Sequence, residues 1–395
     1  MIRRLKKWLR SSIYVAIRLL VLPRARISEK SLLLVRVDFI GDYVLFRNFI
    51  KALRCDPRYR GYHFTFLGNA SYKDLFENLD AKFFDHALWL DPARFNQDFV
   101  YRFKTLWMIT RRGFEVVISP VYSRNFWVVD HIVHLVRARE KIGSAGDLTN
   151  INKRRKKISD AYYTRLVPAT QGVIFEFQRN REFFQGLLGK AMAVDRPRID
   201  LAPSKAGFDL FEKYALLFIG GSSPAKKSRL ANYIRIGRYL AEVHGLDVVF
   251  CGGPDDMADL VAAPIDQEAR FINLVGLTTL WELASVMVKA HLLLSNDTMA
   301  PHLAAALGLD KIFVVDRGDL YGRCLPYPPE ISRRVRLICH PEITRDPQAF
   351  RARANSYGYV NRLDINLISP EMVIERIDEA LRERESTAAR ECRVA

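Results

Sequence analysis

Four polar segments of the sequence each follow an apolar run and carry side chains able to do chemistry. In a parallel α/β sheet, ligands collect beyond the carboxyl ends of the strands, so these positions are the first candidates. Asp38-Phe39-Ile40-Gly41-Asp42 comes first. Asp42 could act as a general base toward an acceptor hydroxyl. The same carboxylate could cap the helix that follows, and the two roles are compatible. Asp38 is a second carboxylate for the same work. Next is Gly220-Gly221-Ser222-Ser223-Pro224-Ala225-Lys226-Lys227. Glycines let backbone approach a phosphate, hydroxyls and N–H groups donate to it, and a lysine neutralises it. The spacing is not that of a Walker A loop, and a plain surface loop would read the same way.

The third segment, Gly252-Gly253-Pro254-Asp255-Asp256, places acids where they could meet a ribose or adenine, or cap a helix. The fourth is Asn296-Asp297-Thr298-Met299-Ala300-Pro301-His302, running on to Gly308. Asp297 or Thr298 would cap a helix with Pro301 in its first turn, and free N–H groups there would face a diphosphate. A phosphate would repel Asp297, so a sugar hydroxyl is its more sensible partner. His302 reads equally as a contact or as a buried helix histidine.

The elements that must position these residues alternate between short apolar runs and helical stretches, the pattern of a doubly wound parallel sheet. Residues 32–37, 63–67, 115–119, 215–219, 247–251, 291–295 and 311–315 read as strands. The run Lys153-Arg154-Arg155-Lys156-Lys157 reads as a solvated loop, 176–188 as a helix, and 195–198 as an interdomain linker. A last amphipathic helix is expected from about residue 370 to 384. This divides the chain into residues 1–28, a first domain 29–195, a second domain 196–368, and a helix and tail 369–395.

At 395 residues the chain can bury two cores, and 49% hydrophobic with 27% charged residues excludes disorder. Five scattered cysteines without a C-x-x-C pair support neither a disulfide framework nor a zinc site. The formal charge of +17 implies an anionic partner. No nucleic-acid-binding signature is present, so nucleic acid is not the expected one. Residues 1–28 combine Arg3, Arg4, Lys6, Lys7, Arg10 and Arg18 with apolar residues at helical spacing. They predict a basic amphipathic helix lying on an anionic membrane surface, against the alternatives of a packed helix or a signal segment.

Taken in order, these motifs resemble glycosyltransferase family 9, the ADP-heptose:lipopolysaccharide heptosyltransferases. The likeness runs from Leu32 to about Ala380. Its strongest part is Gly276-Leu277-Thr278-Thr279-Leu280-Trp281-Glu282-Leu283 followed by residues 295–308, similar to the family's "G-x-T-s-L-x-E-L … N-D-[ST]-G-x-x-H-L-A-A-A-L-G". Residues 35–42 are similar to its "R-x-D-x-x-G-D" start, Pro224-Ala225-Lys226 to its "P-A-K" loop and Gly252-Gly253-Pro254 to its "G-G-P" turn.

The resemblance implies an α/β GT-B fold, two Rossmann-like domains facing a cleft with the donor held mainly by the second. It implies an inverting transfer of a heptose-like sugar from a nucleotide-sugar donor to a lipopolysaccharide core or related phosphorylated lipid-linked glycan. Asp42 would be the base and Lys226 the cation at the diphosphate. Ser222, Ser223, Asp255, Thr278, Asp297, Thr298 and His302 would complete the donor site. No metal or other cofactor is expected, and the enzyme would be peripheral on the cytoplasmic face of the inner membrane. Three departures bear on the donor. Met299 stands at the family's glycine, Lys227-Ser228-Arg229 replaces its Trp-Pro, and residues 316–328 differ from its "G-P-T-D" loop. Within that last segment, Arg323 could contact phosphate or acceptor, or form a structural salt bridge. A catalytically inactive GT-B scaffold protein is the alternative reading, supported by Met299.

Overall fold

The computed structural model describes residues 14, 17, 25–201, 207–260, 265 and 268–391, with side chains described as far as residue 382. Most of the expected basic helix 1–28 therefore lies outside the described residues. The chain divides into two compact units. One comprises Met1–Gly172, Phe177–Val194 and Ser356–Gly358, the other Val173–Glu176, Asp195–Asn355 and Tyr359–Ala395.

The first unit contains strands β1 (Ser31–Arg36), β2 (His63–Asn69), β3 (His86–Leu90), β4 (Phe114–Ser119), β5 (Ala138–Ser144) and β6 (Arg165–Val167). They form one sheet in the order β3-β2-β1-β4-β5-β6, parallel throughout. The second unit contains β7 (Tyr214–Phe218), β8 (Asp247–Cys251), β9 (Phe271–Asn273), β10 (Leu292–Asn296), β11 (Ile312–Asp316) and β12 (Val335–Cys339). Their order, β12-β11-β10-β7-β8-β9, repeats the same winding in parallel strands. In each sheet the chain reverses its direction of travel beside the unit's first strand. That point lies between β1 and β4 in one unit and between β7 and β10 in the other. A crevice forms there because the crossover helices leave toward opposite faces.

Central strands in such a sheet are covered on both faces and read as near-continuous apolar runs. Leu32, Leu33, Leu34 and Val35 of β1 are fully buried, as are Leu292, Leu293 and Leu294 of β10. Each such side chain contributes roughly 1.5–3 kcal/mol relative to exposure. Helices supply the cover. Leu230–Val243 turns Tyr233, Ile236, Gly237, Leu240 and Ala241 inward at helical spacing, against a core shared with Leu217, Val248 and Phe250.

The expected loop at 153–157 is instead the start of a helix, Lys153–Asp160. Asn152 caps it by accepting from the Arg155 N–H at 2.9 Å. Five adjacent cations are tolerated because they are dispersed. Lys156 pairs with Asp160 at 2.9 Å, Arg155 lies over the Phe126 and Trp127 rings, and Lys153, Arg154 and Lys157 face solvent. The last helix, Pro370–Glu391, extends beyond its expected end. Among the described residues no helix is long and apolar enough to cross a membrane.

Candidate active site

The crevice of the second unit gathers most of the chemistry. Lys226 ends a short 3-10 turn, Pro224–Lys226, beyond β7, and Asp297 follows β10 directly. Their side chains meet, Nζ to Oδ2, at 2.7 Å. Burial alone would lower the Lys226 pKa, but Asp297, helped by Asp316 and Asp319, outweighs it and raises the pKa. The ammonium is therefore held charged at the edge of the crevice.

Asn296 joins the two loops. Its fully buried side chain donates from Nδ2 to the carbonyls of Ile219 (2.9 Å) and Gly220 (3.0 Å). Its Oδ1 accepts from the Ser228 N–H at 3.1 Å. One amide therefore fixes both ends of the 220–228 loop to β10. Gly220 permits the close approach, because a Cβ there would lie 2.7 Å from Asp256 Oδ2.

The two adjacent lysines have different work. Lys226 faces Asp297, whereas Lys227 pairs with Asp256 and, at 3.2 Å, with Asp259. Asp256 also accepts from the Gly253 N–H at 2.7 Å, so this lysine fastens the Gly220 loop to the Gly252 turn. That turn is joined to the next segment by the Gly276 N–H, which donates to the Gly252 carbonyl at 3.1 Å. Gly276 has φ of +73°, and a Cβ would meet Met257 Sδ at 2.6 Å, so glycine is required there. Thr278 is half-buried just before Thr279, which caps the helix Leu280–Lys289 in a capping box with Glu282. Ser222 and Asp255 are exposed and Ser223 is half-buried. All three lie on segments that this network links to Lys226.

Thr298 Oγ1 accepts from the Ala300 N–H at 3.1 Å, opening the helix Ala300–Leu307 with Pro301 in its first turn. Met299 is the N-cap residue itself, with φ −72° and ψ −25°. That conformation is ordinary for any side chain, so its backbone does not need the family's glycine. His302 is buried one turn in, with Nδ1 2.9 Å from the Tyr327 hydroxyl. Burial pushes its pKa down to about 4, so the ring is neutral at pH 7, a positioning group rather than a cation for phosphate. Asp316 at the end of β11 is fully buried. Burial first, and then the Asp297 charge, pushes it up to about 8, although its Oδ1 accepts from the Gly318 N–H at 2.6 Å. Arg323 pairs with an acid outside this group. Its Nε lies 3.2 Å from the buried carboxylate of Glu176, whose N–H donates to the Arg323 carbonyl at 2.7 Å. Of its two readings, the geometry draws it to the salt bridge.

In the first unit, Asp38 and Asp42 lie beyond β1, where the strand order reverses. Arg36, the last residue of β1, is fully buried and holds both. Its Nε lies 3.2 Å from Asp38 and an Nη 4.0 Å from Asp42, while the other Nη donates to Asn180 at 3.1 Å. Asp42 sits within the first turn of Ile40–Phe46 and accepts from the Phe39 N–H at 3.3 Å. It thus serves the helix start from inside the turn. Both carboxylates keep about a fifth of their side-chain surface in solvent, 20% for Asp42 and 23% for Asp38, so a substrate hydroxyl could reach either. A cavity of about 220 Å³ lined by Arg58, Tyr62, Glu115 and Arg139 opens instead at the amino ends of the strands, away from these residues.

Asp316 was not among the candidates read from the sequence, and Arg36 and Asn296 entered only as members of their motifs, without a role of their own. Arg36 and Asp316 close apolar runs, where a charge reads as a strand end. Asn296 lies in a candidate motif, but only the paired loops reveal its triple bonding.

Two parallel six-stranded sheets with the same winding, one bearing a lysine at its crevice and the other a carboxylate pair, make an α/β architecture of the GT-B type. The model of glycosyltransferase family 9 (heptosyltransferase) matches residues 110–314, just over half of the chain, and the chain belongs to that family. The matched span includes Lys226, Asp297 and the segments around them, but neither Asp42 nor Arg323. Solved structures share the fold at low identity. A glycosyl transferase family 9 protein from Veillonella parvula aligns with TM-score 0.61 at 16% identity, covering 90% of this chain and 98% of its own. The E. coli heptosyltransferase WaaC, solved with ADP-2-deoxy-2-fluoro heptose, gives 0.62 at 16%, covering 89% and 99%. E. coli ADP-heptose lps heptosyltransferase II gives 0.56 at 14%, covering 90% and 99%. No curated protein sequence matches the chain.

Proposed function

We propose that the chain transfers a heptose-like sugar, with inversion, from an ADP-heptose-type donor to a phosphorylated lipid-linked glycan such as a lipopolysaccharide core. The observation that carries this reading is the Lys226–Asp297 pair at the crevice of the second unit. A diphosphate entering there meets the ammonium of Lys226, the 220–228 loop and the start of the Ala300–Leu307 helix. Asp297, freed from Lys226 by the incoming anion, accepts from a sugar hydroxyl. Thr298, Ser222 and Ser223 donate to phosphate, while Asp255 and Thr278 lie toward the nucleoside.

In the first unit Asp42 takes the proton from the acceptor hydroxyl as the new glycosidic bond forms. The bond from the sugar to the diphosphate breaks as it does so, and Lys226 stabilises the departing charge without requiring a metal. The WaaC structures with ADP-2-deoxy-2-fluoro heptose and with ADP support a donor of this kind. The chain's positive charge suits a phosphorylated acceptor at an anionic membrane face, with work at the cytoplasmic side of the inner membrane. The inactive-scaffold alternative rests on the Met299 side chain standing where the family has glycine, and the transfer assay below decides between the two readings.

The test is a transfer assay with a panel of nucleotide sugars and a truncated-core acceptor. Wild type should turn over one donor class, and Asp42→Asn should lose turnover while still binding donor. Undiminished turnover in Asp42→Asn would remove it as the base.

A further inference from the structure

An apolar face of the first unit takes no part in the chemistry above. The helix Phe99–Thr110 leaves Phe99 36%, Val100 63%, Trp107 42% and Met108 40% exposed, four large apolar side chains on one element. Its sequence, FVYRFKTLWMIT, holds no acid. Lys104, Arg111 and Arg112 are exposed on or just after it. The carboxylate adjoining it in sequence, Asp98, is occupied in capping the helix, accepting from the Val100 and Tyr101 N–H groups at 2.9 Å, and pairs with Arg94 at 3.6 Å.

The face is built rigidly from beneath. Arg102 is fully buried, lies 3.8 Å from the centre of the Tyr14 ring and donates to the Trp127 carbonyl at 2.7 Å. Tyr14 packs edge-on against Phe99 and Trp127. Arg155 of the Lys153–Asp160 helix covers Trp127, so ring contacts run unbroken from that basic helix to Phe99. Tyr14 is also where residues 1–13, with five cations and no acid, join the described chain.

We propose that this face, the outer side of Phe99–Thr110 flanked by the Lys153–Asp160 helix, docks on the surface of an anionic lipid bilayer. Tryptophan and other large apolar side chains enter the headgroup boundary, while arginine and lysine around them meet lipid phosphates. The arrangement satisfies both demands, and exposed apolar side chains ringed by cations suit no other part of the proposed reaction. The inference deepens the membrane clause of the proposed function and stands apart from the transfer chemistry.

The experiment is co-sedimentation of the full chain with vesicles of equimolar phosphatidylglycerol and phosphatidylcholine, and with pure phosphatidylcholine. Three variants are compared: Trp107→Ser with Met108→Ser; Lys153→Ala with Arg154→Ala and Lys157→Ala; and Arg3, Arg4, Lys6 and Lys7 all changed to Ala. ADP binding is measured on each to report the fold. Wild type should favour the anionic vesicles at least tenfold. The Trp107/Met108 variant should bind them about tenfold or more weakly through loss of buried apolar surface, and the Lys153/Arg154/Lys157 variant about a hundredfold more weakly at roughly fivefold per lost surface cation, both with ADP binding unchanged. Wild-type partitioning by both would overturn the proposal and leave the N-terminal cations as the anchor. Equal binding to both vesicle types would also overturn it. Vesicle binding without sugar transfer would sink the transfer reading alone, and transfer to a detergent-dispersed acceptor without vesicle binding would sink this one alone.

Discussion

Replacing Asn296 with Asp tests whether one side chain holds the candidate donor loop. The substitution keeps the shape and the acceptor that receives the Ser228 N–H at 3.1 Å. It replaces two donors by a carboxylate oxygen facing the carbonyls of Ile219 and Gly220, now 2.9 and 3.0 Å from the amide nitrogen. Two hydrogen bonds are lost in a fully buried place, and leaving a buried polar group unsatisfied costs about 1–3 kcal/mol. The oxygen-to-oxygen contact adds to that, so destabilisation of about 3–5 kcal/mol is expected unless the carboxyl takes up a proton. A protonated carboxyl restores one donor, and the loss should then shrink as pH falls. Asn296→Ala provides the comparison, since it removes all three bonds without adding charge and should show no such pH dependence. Urea unfolding at several pH values reads both, and ADP titration reads the loop. An Asn296→Asp protein within about 1 kcal/mol of wild type, the worth of one hydrogen bond, that binds ADP normally would refute the clamp.

Arg36→Met leaves Asp38, Asp42 and Asn180 without their shared partner. Because both carboxylates keep about a fifth of their surface in solvent, loss of the buried guanidinium predicts destabilisation of about 1–3 kcal/mol in chemical denaturation. Turnover should fall further than ADP affinity, because Asp42 is displaced while Lys226 is not. Two buried groups of the second unit give opposing pH dependences. His302, depressed to about 4, contributes stability that is complete above its unfolded value near 6.5 and is lost as pH falls through 4, by at most about 3 kcal/mol. Asp316, raised to about 8, contributes stability complete below its unfolded value near 3.8 and lost as pH rises through 8. The two offset one another between pH 4 and 6.5. Asp316→Asn should therefore steepen the acid loss in thermal unfolding and flatten the decline toward pH 8, whereas an unaltered profile would contradict the assignment.

Where burial on both faces demanded apolar runs, the fold was legible before the structure. β1, β2, β4, β7, β8, β10 and β11 all coincide with such runs. The strands β3, β5, β6, β9 and β12 lie nearer the sheet edges, are short or carry polar residues such as the AREKIGS of β5, and gave no clear pattern. The Lys153–Asp160 helix was hidden by its charge, since Arg155 rests on two aromatic rings distant in sequence and only Lys156 has its acid nearby. The same limit applies at the site. Lys226 and Asp297 could each be singled out from local motifs, yet their 2.7 Å contact depends on β7 and β10 lying side by side. Lys227 looked equivalent to Lys226 until Asp256 and Asp259 were seen to hold it. Arg36 stood in the sequence as the arginine of the R-x-D-x-x-G-D motif, with no role attached to it. Its function is visible only through the three side chains it gathers from separate segments.

The central claim is that Lys226 receives the donor's diphosphate at the crevice of the second unit. Calorimetric titration of ADP into wild type, Lys226→Met and Lys227→Met tests it most directly. Loss of a charge-assisted bond to phosphate, worth about 1.5–3 kcal/mol, predicts roughly 10- to 150-fold weaker binding for Lys226→Met. Lys227→Met should lose stability through Asp256 and Asp259 while keeping most of its ADP affinity. An unchanged dissociation constant in Lys226→Met, or the larger loss of affinity in Lys227→Met, would contradict the account.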